Sequence, residues 1–168
     1  MSKTFYIADT HFGHANIIKY CDRPFKDIYE MTEVMVNNWN SVVSEEDEVW
    51  FLGDFTLSHN KEIIKKLVSR LNGHIYMVMG NHDYLTPAEY IECGFEKVYD
   101  KTIILDNGLI LSHAPIFMNE NMPYFNIFGH VHNHAEYKDR TENSWCVSVE
   151  RINYTPAELV LDAGPELQ

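Results

Sequence analysis

The sequence is defined first by what it does not contain. No apolar stretch approaches the ~20 residues that a membrane-spanning helix requires, so no membrane partner is expected. Met1 to Asp9 runs directly into a strand-like pattern, without the anatomy of a secretory leader. Cysteine is scarce. Cys21, Cys93 and Cys146 are odd in number and far apart, and they make neither a disulfide framework nor a Cys-x-x-Cys metal site. Cys146 stands among apolar residues, where a small core thiol is the simplest reading. These readings together favour a reducing cytoplasm.

Basic runs are missing too. With 13 Lys and Arg against 25 Asp and Glu, the formal net charge is −12, which argues against general nucleic-acid binding through a cationic face. An acidic chain can still act on phosphates where bound cations reverse the local charge. There is no internal repeat, low-complexity segment or linker. The 168 residues therefore read as one domain, 1–168, large enough to bury a two-layer core.

What is present is a series of apolar runs that end in polar clusters. Thr4 to Ala8 predicts a strand that delivers Asp9-Thr10-His11, whose two outer side chains point the same way in extended backbone. Asn16 to Tyr20 opens a short helix. From Lys26 to Val43, Ile28, Met31, Met35, Trp39 and Val42 recur at helical spacing and read as core contacts. Ser44 to Glu48 reads as a solvated acidic loop. Val49 to Leu52 is a continuous apolar run, the mark of a buried strand, and it ends in Gly53-Asp54. Glu62 to Leu71 predicts a helix stopped by Asn72-Gly73. Ile75 to Met79 then predicts a strand ending in Gly80-Asn81-His82-Asp83.

This β-α-β rhythm places three polar clusters at the C-terminal ends of strands, where open α/β sheets carry their chemistry. A short helix is predicted from Thr86-Pro87 to Cys93-Gly94. Lys101–Asp106 and Leu109–His113 flank Asp-Asn-Gly, a strong hairpin signal. Phe125 to Phe128 leads to Gly129-His130-Val131-His132, and Trp145–Val149 and Glu158–Leu161 predict the closing strands.

Collected, the strand-end groups are Asp9, His11, Asp54, Asn81, His113, His130 and His132. Hard oxygen with imidazole and no thiolate suits manganese, iron, zinc or cobalt better than calcium or a Cys-rich structural zinc. Seven candidate ligands exceed one closed tetrahedral site and suit two adjacent ones. Metal pairs ~3.5–4 Å apart are used to displace groups at phosphorus. Asp54, on the middle strand, is the natural bridging carboxylate.

The ordered set Asp9-x-His11, Gly53-Asp54, Gly80-Asn81-His82-Asp83, His113 and Gly129-His130-x-His132 resembles the calcineurin-like metallophosphoesterase superfamily, in its compact prokaryotic and phage branch. The resemblance implies an α/β fold: a four-layer αββα sandwich of two mixed β-sheets flanked by helices. It implies one divalent ion on Asp9, His11, Asp54 and His132, and a second on Asp54, Asn81, His113 and His130. Manganese is the first choice, with iron, zinc, cobalt or nickel as alternatives. His82 would protonate the leaving group, with Asp83 orienting its ring, while a metal-bridging hydroxide attacks phosphorus. The implied substrate is a small phosphate ester, a phosphodiester before a monoester, nucleotide-derived esters included. Two alternatives stand beside this reading: a weakly active scaffold on the same fold, and a nuclease for short oligonucleotides.

Other residues are less determined. His14 and Arg23 follow the first motif and either contact the substrate phosphate or serve as a turn residue and a surface ion pair. His134 is a candidate pocket residue, and His59 and His74 read as surface or strand-start positions. Glu150 either supports a ligand or is an ordinary strand-end carboxylate. Met118 to Tyr124 lies between two ligand motifs and is expected to pass close to the site, leaving its cleft open. Tyr124, Phe125 and Trp145 form either a dimer face or core.

Overall fold

A computed structural model describes residues 1–160. Its first sheet grows from strands β1 (Thr4–Ile7), β2 (Glu48–Phe51) and β3 (His74–Val78), which pair in parallel with Ile7 opposite Phe51 and Phe51 opposite Met77. That register brings the three strand ends to one edge. Strand β4 (Lys97–Tyr99) pairs with β3, and β9 (Ala157–Glu158) runs antiparallel to β1, giving the order β4-β3-β2-β1-β9.

The helices start where side chains can satisfy free N–H groups. Asp27 accepts from Tyr29 and Glu30 at the start of α2 (Ile28–Val42), and Asn60 accepts from Glu62 and Ile63 at the start of α3 (Lys61–Val68). Thr86 and Glu89 form a reciprocal capping box with Pro87 at the start of α4 (Pro87–Glu92). The first helix, α1 (Ala15–Tyr20), is short and has no side-chain cap. Met31, Met35, Trp39, Ile64, Val68 and Tyr90 pack against Phe5, Ile7, Val49, Phe51, Ile75 and Met77 as one core.

The opposite faces of the same strands build a second core. Tyr6, Ala8, Trp50, Leu52 and Val78 meet Leu109, Leu111, Ile127, Trp145 and Val147. Those partners come from or follow a second sheet, β5 (Ile103–Ile104), β6 (Leu109–Leu111), β7 (Phe125–Phe128) and β8 (Ser144–Cys146), in that order, with only β5 antiparallel to its neighbour. Burial on both faces explains why β1 and β2 are apolar without alternation.

The result is two mixed sheets face to face with flanking helices, the expected α/β class. Among the described residues every α-helix precedes Cys93, and only a 3₁₀ turn, Val149–Arg151, follows. The helical flank therefore lies on the first sheet. No described helix is long and apolar enough to cross a membrane.

Two local expectations are corrected, one strand is added and one open alternative is settled. The short edge strand β4 was not visible in Lys-Val-Tyr. Val147 to Val149 leaves the sheet after Cys146, because the chain crosses to the first sheet through an Ala8–Ser148 bridge. Asp47 is not a solvated loop residue: it is buried and accepts from the backbone N–H groups of Lys3 and Ser44, both at 2.8 Å. For Trp145, left open between a dimer face and core, the structure settles on the inter-sheet core, edge-on to Tyr6. The end of the last expected strand, Leu161, lies outside the described residues.

Candidate metal centre

The clusters sit on unusual backbone. Asp9, His11, Asp54, His130 and His132 all have φ between +47° and +72°, and they are five of the eight described non-glycine residues in that region. Left-handed backbone is costly for residues with a Cβ and persists only where the surroundings impose it, typically at functional sites. The neighbouring glycines permit the crowding. A Cβ on Gly53, itself at φ +93°, would stand 2.5 Å from both the Gly80 nitrogen and His113 Nδ1, and one on Gly129 would stand 2.6 Å from Asp9 Oδ2.

The expected ligands come together as two groups. Asp9, His11 and His132 converge, and so do Asp54, His113 and His130, with donor atoms inside each group within 4.8 Å of one another. Asp54 joins them: its Oδ2 lies 3.4 Å from His11 Nε2 and 3.4 Å from His113 Nε2. Asn81 completes the second group, its Oδ1 being 2.9 Å from His113 Nε2 and 3.1 Å from His130 Nδ1.

The donor atoms fit cations. Asp9 Oδ1 and both ring nitrogens of His11 are buried without a hydrogen-bond partner, a condition that costs free energy and that a cation would relieve at the carboxylate oxygen and at the imidazole's lone pair. His113 Nδ1 lies 2.7 Å from the Leu52 carbonyl, which can only accept, so that nitrogen carries a hydrogen and Nε2 is the position for either a metal ion or a second proton. This Nε2 faces His130 Nδ1 at 3.1 Å and the Asn81 and Asp54 oxygens. Acceptors aimed at one another repel unless a proton or metal ion lies among them.

A second layer aims these ligands. Asp9 Oδ2 accepts from Ser148 Oγ at 2.6 Å and from the His130 backbone at 2.7 Å, which leaves Oδ1 for the site. Glu150 Oε1 lies 3.0 Å from His132 Nδ1, leaving Nε2 as that ring's free atom. Arg23 donates to the same Glu150 oxygen, Oε1, at 2.8 Å and to the carbonyls of Asp9 (2.6 Å) and Thr10 (2.8 Å). Cys21, buried, lies against His132 and Glu150.

Three expected roles change here. Arg23 is not a substrate contact or a surface ion pair, because its guanidinium is buried and spent on the first motif and Glu150. Asp83 does not orient the His82 ring. Its carboxylate accepts from the backbone of Asp54 (2.7 Å), Phe55 (3.0 Å) and Gly80 (2.7 Å), tying the ends of β2 and β3 together. The His82 ring is met instead by Tyr84, whose hydroxyl is 3.0 Å from Nδ1 and whose own ring stacks on His59 at 4.7 Å. Third, Met118 to Tyr124 lines a separate open cavity of about 690 Å³ with Thr141 to Asn143 and none of the ligands. His14 stays beside the site, its ring 5.5 Å from that of His11, and exposed His134 lines a shallow recess next to His130.

Tyr84 and Ser148 were missed by sequence reasoning. Tyr84 directly follows Asn81-His82-Asp83, which is the one signal that could have found it. Nothing in Cys146-Val147-Ser148 marks the serine.

The charges agree with a cation site. Burial alone would raise the Asp54 pKa, but the imidazoles of His11 and His113 outweigh it and hold the carboxyl well below the usual range. Burial pushes Asp9 up, against the pull of His132 and His113. Burial opposes charge on His113 and His132, yet Asp54 raises His113 to about 9, and Cys21 and Glu150 raise His132 to about 10. The cluster attracts positive charge, and protons and metal ions compete for the same atoms.

Comparison with known proteins agrees with this geometry. The family model for calcineurin-like phosphoesterases matches residues 2–159. The uncharacterized protein MJ1445 of Methanocaldococcus jannaschii is 40% identical over 174 residues, covering 96% of this chain and 89% of the relative. The gene 66 protein of Mycobacterium phage L5 is 33% identical over 85 residues, covering 49% of this chain and 41% of the phage protein. Among solved structures, a protein of unknown function from Aquifex aeolicus, AQ665, superposes with a TM-score of 0.70 at 30% identity, covering 93% of this chain and 95% of that one. The chain belongs to the calcineurin-like phosphoesterase family, whose members hydrolyse phosphate esters with divalent metals.

Proposed function

We propose that this protein is a dinuclear-metal phosphodiesterase. The observation that carries the reading is Asp54, whose one oxygen stands 3.4 Å from a nitrogen of each ligand group. A carboxylate shared in this way is suited to a cation on either side. Asp9, His11 and His132 would hold one with Asp54, and Asn81, His113 and His130 the other. When bound, the pair supplies an activated water and charge compensation at the phosphoryl oxygens. Manganese suits the mixture of carboxylate, amide and imidazole donors.

The chain itself does the rest. Asp83 and Arg23 hold the strand-end loops that carry Asp54 and Asp9, so the ligands are placed before substrate arrives. His82 lies outside both groups, its ring 5.7 Å from that of His11. With Nδ1 against Tyr84, its Nε2 is the atom that donates a proton to the departing ester oxygen. Asn81 and His130 are exposed, which leaves room for ester groups on phosphorus and supports a diester over a monoester. His134, beside His130, is positioned to meet the substrate from the exposed side.

The test is hydrolysis of bis-p-nitrophenyl phosphate by metal-stripped protein, with and without Mn²⁺, beside the monoester p-nitrophenyl phosphate. Turnover that needs manganese, favours the diester and disappears in Asp54→Ala supports the reading. Two tightly bound ions without turnover on any ester, with Mn, Fe, Zn, Co or Ni, would make the protein a binding scaffold on this fold.

A further inference from the structure

A groove of about 600 Å³ lies between α2 and α3, beside the candidate metal centre. Its size is that of a small-molecule site. Its floor comes from the two loops that also carry the ligands: Phe12, the residue after His11, and Leu57, three residues past Asp54. Ile63 and Leu67 of α3 supply one wall, and Ile63 is 54% exposed, a large apolar side chain left open to solvent. His14 forms the end nearest the metal ligands, with its Nδ1 buried and unpartnered and its ring 5.5 Å from that of His11.

The charge of the groove is opposite to that of the chain. In a protein of net charge −12, no carboxylate lines it, and its charged residues are Lys66 and Arg70. Arg70 is held by Glu33 at 2.7 Å. Lys66 has no ion-pair partner among the described residues. An apolar channel one imidazole away from the metal ligands, with a cation on its wall, matches a substrate whose phosphate carries an apolar ring.

We propose that this groove binds the ring-bearing ester group of the substrate, an aryl or nucleobase-containing group, while the phosphate sits at the metal centre. This rests on the phosphodiesterase reading for its context, and the test is made independent of turnover. The manganese-loaded full chain would be titrated calorimetrically with methylphosphonate, phenylphosphonate and thymidine 5′-monophosphate. Burial of a ring predicts binding of phenylphosphonate about tenfold tighter than methylphosphonate. A further gain for thymidine 5′-monophosphate identifies the group as nucleoside-derived, and no further gain identifies it as a simple aryl group.

Leu67→Trp fills the groove and should bring phenylphosphonate down to methylphosphonate, leaving the latter within about twofold of wild type. Ile63→Asp, at an exposed position, should do the same without a packing change. Equal affinities in wild type, or a ring preference that survives both variants, overturns the proposal. Hydrolysis plays no part in these readings. Failure of the phosphodiesterase assay with an intact ring preference sinks only the catalytic reading, and the converse sinks only the groove.

Discussion

The two halves of the metal centre are built differently. Asp9 and His11, with the shared Asp54, come from the ends of β1 and β2 and are at most 2% exposed, and Asp9 Oδ1 and the His11 ring nitrogens are buried without a hydrogen-bond partner. Asn81 and His130 are exposed, and with His113 they meet one another at 2.9–3.1 Å. The first half is clamped by Ser148, Glu150 and Arg23. In the second, among the described residues, the only side-chain ligand ring with a hydrogen-bonded support behind it is His113, on the Leu52 carbonyl, while Asn81 and His130 are held through backbone, by Asp83 at Gly80 and by Asp9 at the His130 N–H. A buried, rigid ligand set loses little freedom on binding an ion and shields it from water, whereas an exposed set exchanges it readily and can admit substrate. On the proposed two-metal reading, the difference predicts tight metal retention by the first half and substrate contact at the second.

Removing the shared residue should erase the contrast altogether. Asp54→Ala is expected to lower turnover by about 10³-fold or more, beyond the loss of one charge-stabilising contact, and metal analysis should find both ions depleted. Breaking one half at a time comes next. His132→Ala should abolish tight retention of the first ion, and His130→Ala should spare it while weakening the second. Elemental analysis after gel filtration reads both, and equal losses in the two variants would end the asymmetry.

Glu150→Gln attacks the clamp without touching a ligand and should weaken the first ion by about 10–100-fold, measured by competition with a chelator. The same residue gives a pH signature in metal-free protein. Burial opposes its ionisation, but His132 and Arg23 hold its pKa at about 2, below its ordinary 4.5. Its contribution to stability is complete above 4.5 and lost as pH falls towards 2, so Glu150→Gln should flatten thermal stability across that window. The smallest effect belongs to Tyr84→Phe. It should lower kcat about tenfold or less for diesters with poor leaving groups and leave p-nitrophenyl esters unchanged, because p-nitrophenolate departs without a proton.

The sequence carried more of the site than of its support. Asp9, His11, Asp54 and Asn81 were legible because each ends an apolar strand, and parallel register forces such ends to one edge. His113, His130 and His132 were legible through the same logic in the second sheet. Arg23, Asp83 and Tyr84 were misjudged or missed for one reason. Their partners are backbone carbonyls, backbone N–H groups and a ring, and which of these comes near depends on the left-handed turns at Asp9 and Asp54. No local pattern encodes such turns. The fold shows the same boundary. Continuous runs such as Val49 to Leu52 announced buried strands, but Lys97–Tyr99 pairs only because β3 offers it an edge.

The central claim, two cations joined through Asp54, is tested most directly by electron paramagnetic resonance during a manganese titration of metal-free protein. The account predicts that the signal of the second equivalent is spin-coupled to the first, and that Asp54→Ala, at any occupancy, shows only isolated ions. Two equivalents giving two independent, uncoupled signals in the wild-type protein would contradict it.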